Sequence, residues 1–191
     1  PSGGEIHYQG RRMHVSQPSE ARRMGIETIY QDLALAGNLN VAANIFLGRE
    51  LKKRLLGMVP VLDEKEMTKN ARQVLDMLDV HIPSYNVKIE KLSGGQRQAV
   101  AIARALFWQA KLLIMDEPTN NLGVVEQGKV LDMVKHLRAQ QQIAIILISH
   151  TMHDVFAVAD RIVILRRGQK VGEKRTAETS REAIVQYIMR L

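Results

Sequence analysis

Residues Leu92–Gly123 read LSGGQRQAVAIARALFWQAKLLIMDEPTNNLG. Ser93-Gly94-Gly95-Gln96 is a flexible turn with a hydroxyl placed to cap a helix. That helix is expected to run to about Trp108, with Ala99, Ile102, Ala103 and Leu106 as its apolar stripe. Lys111–Met115 then reads as a buried strand that ends in two adjacent carboxylates, Asp116 and Glu117. In open parallel α/β sheets the carboxyl ends of the strands are where ligands bind. One carboxylate can hold Mg²⁺ through water and the other can orient an attacking water, the division of labour that phosphoryl transfer needs. The Ser93–Gln96 turn offers backbone N–H groups at a helix N-terminus, which suits a terminal phosphate. Taken singly, the pair also suits a surface turn opening at Pro118, and the glycines a capped hinge.

Working outward, Val124–Gln140 has Val130, Val134 and Leu137 on one helical face, and Ile143–Ile148 is an apolar run expected as a strand buried on both faces. Asp154–Ala159 reads as a short helix, Ile162–Leu165 and Gln169–Val171 as a hairpin, and Ser180 as the cap of a last helix to Met189. Upstream, Glu5–Tyr8 and Arg12–Val15 form a strand pair around Gln9-Gly10-Arg11. Pro18 opens a helix that Gly25 ends, and Ile26–Tyr30 is a β-branched strand running into Gln31. Asn40–Leu47 is a capped short helix, Arg49–Pro60 basic and irregular, and Asp63–Val80 a helix with a capping-box pair, Asp63 and Glu66. Strands alternating with helices predict an α/β fold with a mainly parallel sheet. Residues 33–109, nearly all helix and loop, read as a helical subdomain inserted into a core made of residues 1–32 and 110–191.

Composition is ordinary for a globular chain, with 46% hydrophobic and 25% charged residues. The absence of cysteine excludes disulfides and thiolate metal sites and fits a reducing compartment. The longest apolar run, Ile143–Ile148, is far short of the roughly 20 residues that span a bilayer. The net charge of +7 is gathered at 49–54 and 161–175 without interleaved aromatics, so no nucleic-acid partner is expected.

Two further polar residues end strands. Gln31 can reach a metal ion or an attacking water, and His150 can donate to a terminal phosphate. Alone, either is equally an ordinary surface residue. In the order Gln31, Ser93 loop, Asp116-Glu117, His150, the chain resembles the nucleotide-binding subunit of an ATP-binding cassette (ABC) transporter over nearly all of its length. LSGGQ at 92–96 is similar to the family signature, LLIMDE at 112–117 to the Walker B strand, Gln31 to the Q-loop and His150 to the switch histidine. The wording NIFLGRE, DEPTNNLG and ADRIVILRRG resembles the branch that powers sugar import.

The resemblance implies a P-loop NTPase-like fold and an ATPase in which two modules face each other head to tail. Each ATP lies between the Walker motifs of one module and the signature loop of the other. Glu117 is then the general base, Asp116 and Gln31 serve Mg²⁺, and His150 contacts the γ-phosphate. Ser93, Gly94, Gly95 and Gln96 act on the partner's nucleotide. The helical subdomain contacts membrane-spanning subunits, which a solute receptor serves in turn, and the chain is peripheral on the cytoplasmic face. Two other readings stand beside this one: a soluble ABC protein acting on nucleic acid or ribosomes, and a regulatory cassette that no longer hydrolyses ATP.

The family also carries a Walker A loop, G-x-x-x-x-G-K-[ST], whose backbone and lysine cradle phosphates. The near match from Gly123 to Val130 is rejected: Val130 has no hydroxyl for a metal, and the segment lies in a predicted helix. The opening Pro1-Ser2-Gly3-Gly4, without methionine, reads as an interior start just after the Walker A helix. On that reading a central strand is missing beside those at Ile143 and Ile162, two apolar edges are exposed, and the 191 residues alone are unstable or held by a partner. Where many relatives carry an acid in the loop after Glu117, this chain has Gly123, which puts signalling between two ATP sites through that loop in doubt.

Overall fold

The computed structural model describes residues 3–55, 58–141 and 143–189; Pro1 and Ser2, on which the reading of the chain start partly rests, lie outside them. In chain order the strands and helices are β1 (Ile6–Tyr8), β2 (Arg11–Met13), α1 (Pro18–Arg23), β3 (Ile26–Ile29), α2 (Val41–Ile45), β4 (Lys52–Leu55), β5 (Val59–Leu62), α3 (Glu64–Met77), α4 (Gly94–Phe107), β6 (Leu112–Asp116), α5 (Val124–Gln141), β7 (Ala144–Ile148), α6 (Met152–Val158), β8 (Arg161–Arg166), β9 (Gln169–Arg175) and α7 (Arg181–Met189).

A parallel sheet in the order β3-β6-β7 organises the site. Its central strand hides Leu113 and Met115 completely, and Ile29 of β3 is 1% exposed. Antiparallel hairpins β1–β2 and β8–β9 accompany it, so the expected mix of a parallel sheet, a small antiparallel part and a helical layer is present. The helical layer packs α2, α3 and α4 into the same core. Phe46 at its centre is fully buried and meets Phe107 and Trp108 edge-on, with ring centroids 4.5 and 6.1 Å apart.

Local chemistry explains the element ends. Pro18 sits in the first turn of α1, and Gly25 at φ +83° turns the chain into β3. A Cβ on Gly25 would also press on Lys111 at 3.1 Å, so this turn fits only glycine comfortably. The Asn40 side chain accepts the Ala43 N–H at 2.8 Å to start α2. At α3 only half of the expected capping box forms: Asp63 accepts the Glu66 N–H, while the Glu66 carboxylate turns to Lys69 at 3.6 Å.

Two expectations are corrected. The stretch read as irregular over Arg49–Pro60 contains the hairpin β4–β5, with Arg54 opposite Pro60; Leu56 and Gly57 lie outside the described residues. Proline is tolerated because this two-stranded sheet is all edge. Secondly, β7 is not buried on both faces. Ala144, Ile146 and Ile148, which share one face, are exposed, and among the described residues only β6 pairs with the strand. On its other side lies an apolar groove of about 780 Å³ between β7 and β8, lined by Ile146, Ile148, Val163 and Leu165 among others.

Candidate functional site

Sheet register brings three of the singled-out residues to one edge. Ile29 pairs with Met115, and Asp116 with Ile148. Gln31, Glu117 and His150 therefore follow the carboxyl ends of three neighbouring parallel strands, two residues beyond Ile29, Met115 and Ile148. Glu117 adopts φ +47°, a left-handed conformation that costs a non-glycine residue about 1–2 kcal/mol. The turn is held by the Glu117 N–H, which donates to Ile148 O at 2.9 Å. Glu117 Oε1 accepts the His150 N–H at 3.1 Å and lies 2.6 Å from His150 Nδ1. The carboxylate is 17% exposed and the imidazole 74%, so the glutamate is seated in the fold while the histidine reaches outward. Asp116 is partly exposed and Gln31 exposed.

A buried pair lies directly behind this contact. The Thr119 hydroxyl donates to Asp154 Oδ2, and both residues are nearly inaccessible. This ties the segment after Glu117 to the helix that follows His150. Asp154 Oδ1 has no hydrogen-bond partner among the described residues.

The Ser93–Gln96 turn stands apart from that edge; among the described residues no hydrogen bond joins it to Asp116, Glu117 or His150. Ser93 and Gln96 form the reciprocal capping box of α4, and Gln96 Nε2 also donates to His81 O. A Cβ on Gly94 would lie 2.5 Å from Leu122, so close packing requires glycine there. The Gly95 N–H donates to Glu126 Oε1 at 3.4 Å. The Ser93 hydroxyl and then this N–H hold the Glu126 carboxyl below its ordinary pKa, the behaviour of an anion at a helix N-terminus. Glu126 thus places a carboxylate against the N-terminus of α4. It went unmarked in the sequence because nothing in a lone helical glutamate reports what faces it.

The near match from Gly123 to Val130 spans the entry into α5 and its first two turns, with Gly123 and Gly128 in open space, so no strand leads into it. No group of three or more His, Asp or Glu among the described residues is arranged to hold a metal ion by protein ligands alone. No helix among them is long and apolar enough to cross a membrane.

Comparison with known proteins agrees with this architecture. A dimeric bacterial ABC transporter cassette matches with a TM-score of 0.73 at 25% identity, over 92% of this chain and 75% of that one. The xylose/arabinose import ATP-binding protein XylG of Sulfolobus acidocaldarius is 42% identical over 98% of this chain and 72% of its own length. The fructose import ATP-binding protein FrcA of Rhizobium meliloti is 47% identical over 90% of this chain and 66% of its own. The ribose import ATP-binding protein RbsA of Geobacillus kaustophilus is 41% identical over 98%, but the chain spans only 37% of that relative. The family model described as ABC transporter matches residues 1–120, and the chain belongs to the ABC transporter family.

Proposed function

We propose that this chain is part of the ATP-hydrolysing subunit of an ABC importer, and that the imported solute is a sugar. The observation that carries the reading is the seating of Glu117 against His150 at the carboxyl edge of a parallel sheet, beside Asp116 and Gln31. The relatives named for xylose/arabinose, fructose and ribose import support the sugar.

Glu117 orients and polarises the water that attacks the γ-phosphate, with its carboxylate aimed by the two His150 contacts. His150, largely exposed, reaches the phosphate itself. Asp116 and Gln31 would supply oxygens to Mg²⁺. Two protein donors would suit this ion, which when bound would supply positive charge to offset that of the phosphates. Ser93, Gly94, Gly95 and Gln96 face the nucleotide of a second module, because within one chain they meet Leu122 and Glu126 instead of the Glu117 edge. Residues 33–109 act as a helical subdomain against membrane-spanning subunits, with residues 1–32 and 110–191 as the core. The subunit works at the cytoplasmic membrane face, and a solute receptor delivers the sugar to its membrane partners.

A mixing experiment tests the shared site. Complete subunits carrying Glu117→Gln are combined with subunits carrying Ser93→Arg, and phosphate release from Mg²⁺-ATP is followed. If each site draws on two chains, a mixed dimer has one doubly altered site and one intact site, so mixing restores activity. If all groups serve one nucleotide in one chain, both sites stay impaired and mixing restores nothing.

A further inference from the structure

The turn that carries Gln31 is strained and is held from outside. Tyr30 O accepts the Leu33 N–H at 2.8 Å, closing a turn around Gln31 and Asp32. Leu33 and Ala34 then both adopt left-handed backbone, at φ +61° and +45°. Neither is glycine, so two consecutive residues of this kind persist only where the surroundings enforce them. The enforcing group comes from the helix that begins at the Ser93 turn. Arg104 Nη1 donates to Ala34 O at 2.9 Å, and Nη2 donates to Leu33 O at 3.1 Å. The planar fork of a guanidinium holds two donors at a fixed spacing for two successive carbonyls; an ammonium is a point charge on a flexible stem and does not pre-organise them.

The guanidinium is itself seated. It is half-buried near Glu27 of β3, which pairs with Arg49 at 3.6 Å. Arg49 in turn lies over the Trp108 ring, 4.6 Å from its centroid. Burial lowers the pKa of Arg104, and the Glu27 charge opposes that effect. Strand β3, helix α4 and the turn after β3 are joined at this one side chain.

We propose that Arg104 is a positioning residue for the reaction: it clamps the Leu33–Ala34 carbonyls and thereby sets where Gln31 stands relative to the metal and the attacking water. The role given to Gln31 rests on the ATPase reading above; the clamp itself does not. Arg104 lies in the middle of an alanine-rich stretch of α4, where sequence alone shows only a charged residue between Ala103 and Ala105.

The test uses the complete polypeptide with Arg104→Ala and Arg104→Lys. Amide exchange over residues 31–36 reads the clamp, and phosphate release titrated with Mg²⁺ reads its consequence. The expected result is faster exchange in that segment, a fall in kcat of up to about 100-fold for Arg104→Ala from misplacement of a positioned group, and a higher Mg²⁺ requirement. KM for ATP is expected to stay unchanged. Arg104→Lys keeps the charge and the stem but not the fork, so it folds and shows a smaller change in the same direction. Unchanged exchange in both variants overturns the clamp. Faster exchange with kcat and Mg²⁺ requirement unmoved overturns the positioning role. A parallel loss of ATP affinity and melting temperature, with the Mg²⁺ midpoint fixed, assigns Arg104 to the scaffold and also overturns it. If the unaltered protein hydrolyses no ATP, the ATPase reading fails while the exchange result still decides the clamp.

Discussion

Asn44→Ala is expected to destabilise the helical layer by about 3 kcal/mol, part of it from a single orphaned backbone group. Asn44 is fully buried in α2 and anchors the far end of the loop that begins at Gln31. Its Oδ1 accepts the Ala36 N–H at 2.7 Å, and its Nδ2 donates to Ala36 O and Asn40 O at 3.0 Å each and to Leu39 O at 3.4 Å. The three carbonyls keep other partners: Leu39 N for Ala36 O, Ile89 N for Leu39 O and Asn44 N for Asn40 O. Among the described residues the N–H of the partly buried Ala36 keeps none. An unsatisfied donor shielded from water costs about 1–3 kcal/mol, toward the lower end at this partly buried residue, and the lost bonds and packing of the fully buried Asn44 add the rest. Asn44→Asp is expected to be at least as harmful, because a carboxylate would face three carbonyl oxygens. Trp108, the one tryptophan in the sequence, packs on Phe46 two residues beyond Asn44 and reports the unfolding by fluorescence. With a urea slope of about 2 kcal/mol per molar, the midpoint falls by about 1.5 M. A shift below about 0.3 M, or an aspartate milder than the alanine, refutes the hydrogen-bond accounting.

Thr119→Val removes the hydroxyl that partners Asp154 and leaves a buried carboxylate with neither oxygen satisfied; a loss of about 3 kcal/mol in urea unfolding is expected, and Asp154→Asn should cost less. Because Glu126 has a lowered pKa, its contact with the Ser93 turn is fully present above the ordinary carboxylate range and is lost as pH falls through the lower folded value. A carboxyl titration by NMR is expected to place its midpoint below 4.5; a midpoint at or above that value contradicts the contact. The exposed isoleucines of the β7–β8 groove predict that the 191-residue chain binds an apolar dye such as anilinonaphthalene sulfonate. Ile146→Lys, at a position 48% exposed, should weaken that binding with little change in helix content.

Much of this architecture is legible in the chain because the decisive strands are short runs of β-branched or other aliphatic residues with polar residues at their ends. Ile26–Ile29, Leu112–Asp116 and Ala144–Ile148 announce themselves that way, and the register of a parallel sheet then aligns Gln31, Glu117 and His150. The hairpin at Lys52–Leu62 stayed hidden because KKRL has no alternation and Pro60 lacks a ladder donor. The exposure of β7 could not be read from its apolar side chains, since apolar sequence reports a preference for burial, not a neighbour that supplies it. The partner of Gly95, the Arg104 fork and the inward Asn44 amide depend on contacts 4 to 71 residues away in the chain. Such polar contacts leave no periodic trace.

The central claim is that Glu117, not merely the fold around it, performs the hydrolysis. The direct measurement is phosphate release from Mg²⁺-ATP by the complete protein, beside ATP affinity, for the unaltered chain and Glu117→Gln. Glutamine keeps the size and an oxygen that can still accept the His150 N–H, but it cannot polarise water as a carboxylate does. Hydrolysis is expected to fall by about 100-fold or more while ATP binding is retained. Equal hydrolysis by the two proteins would contradict the account at its centre.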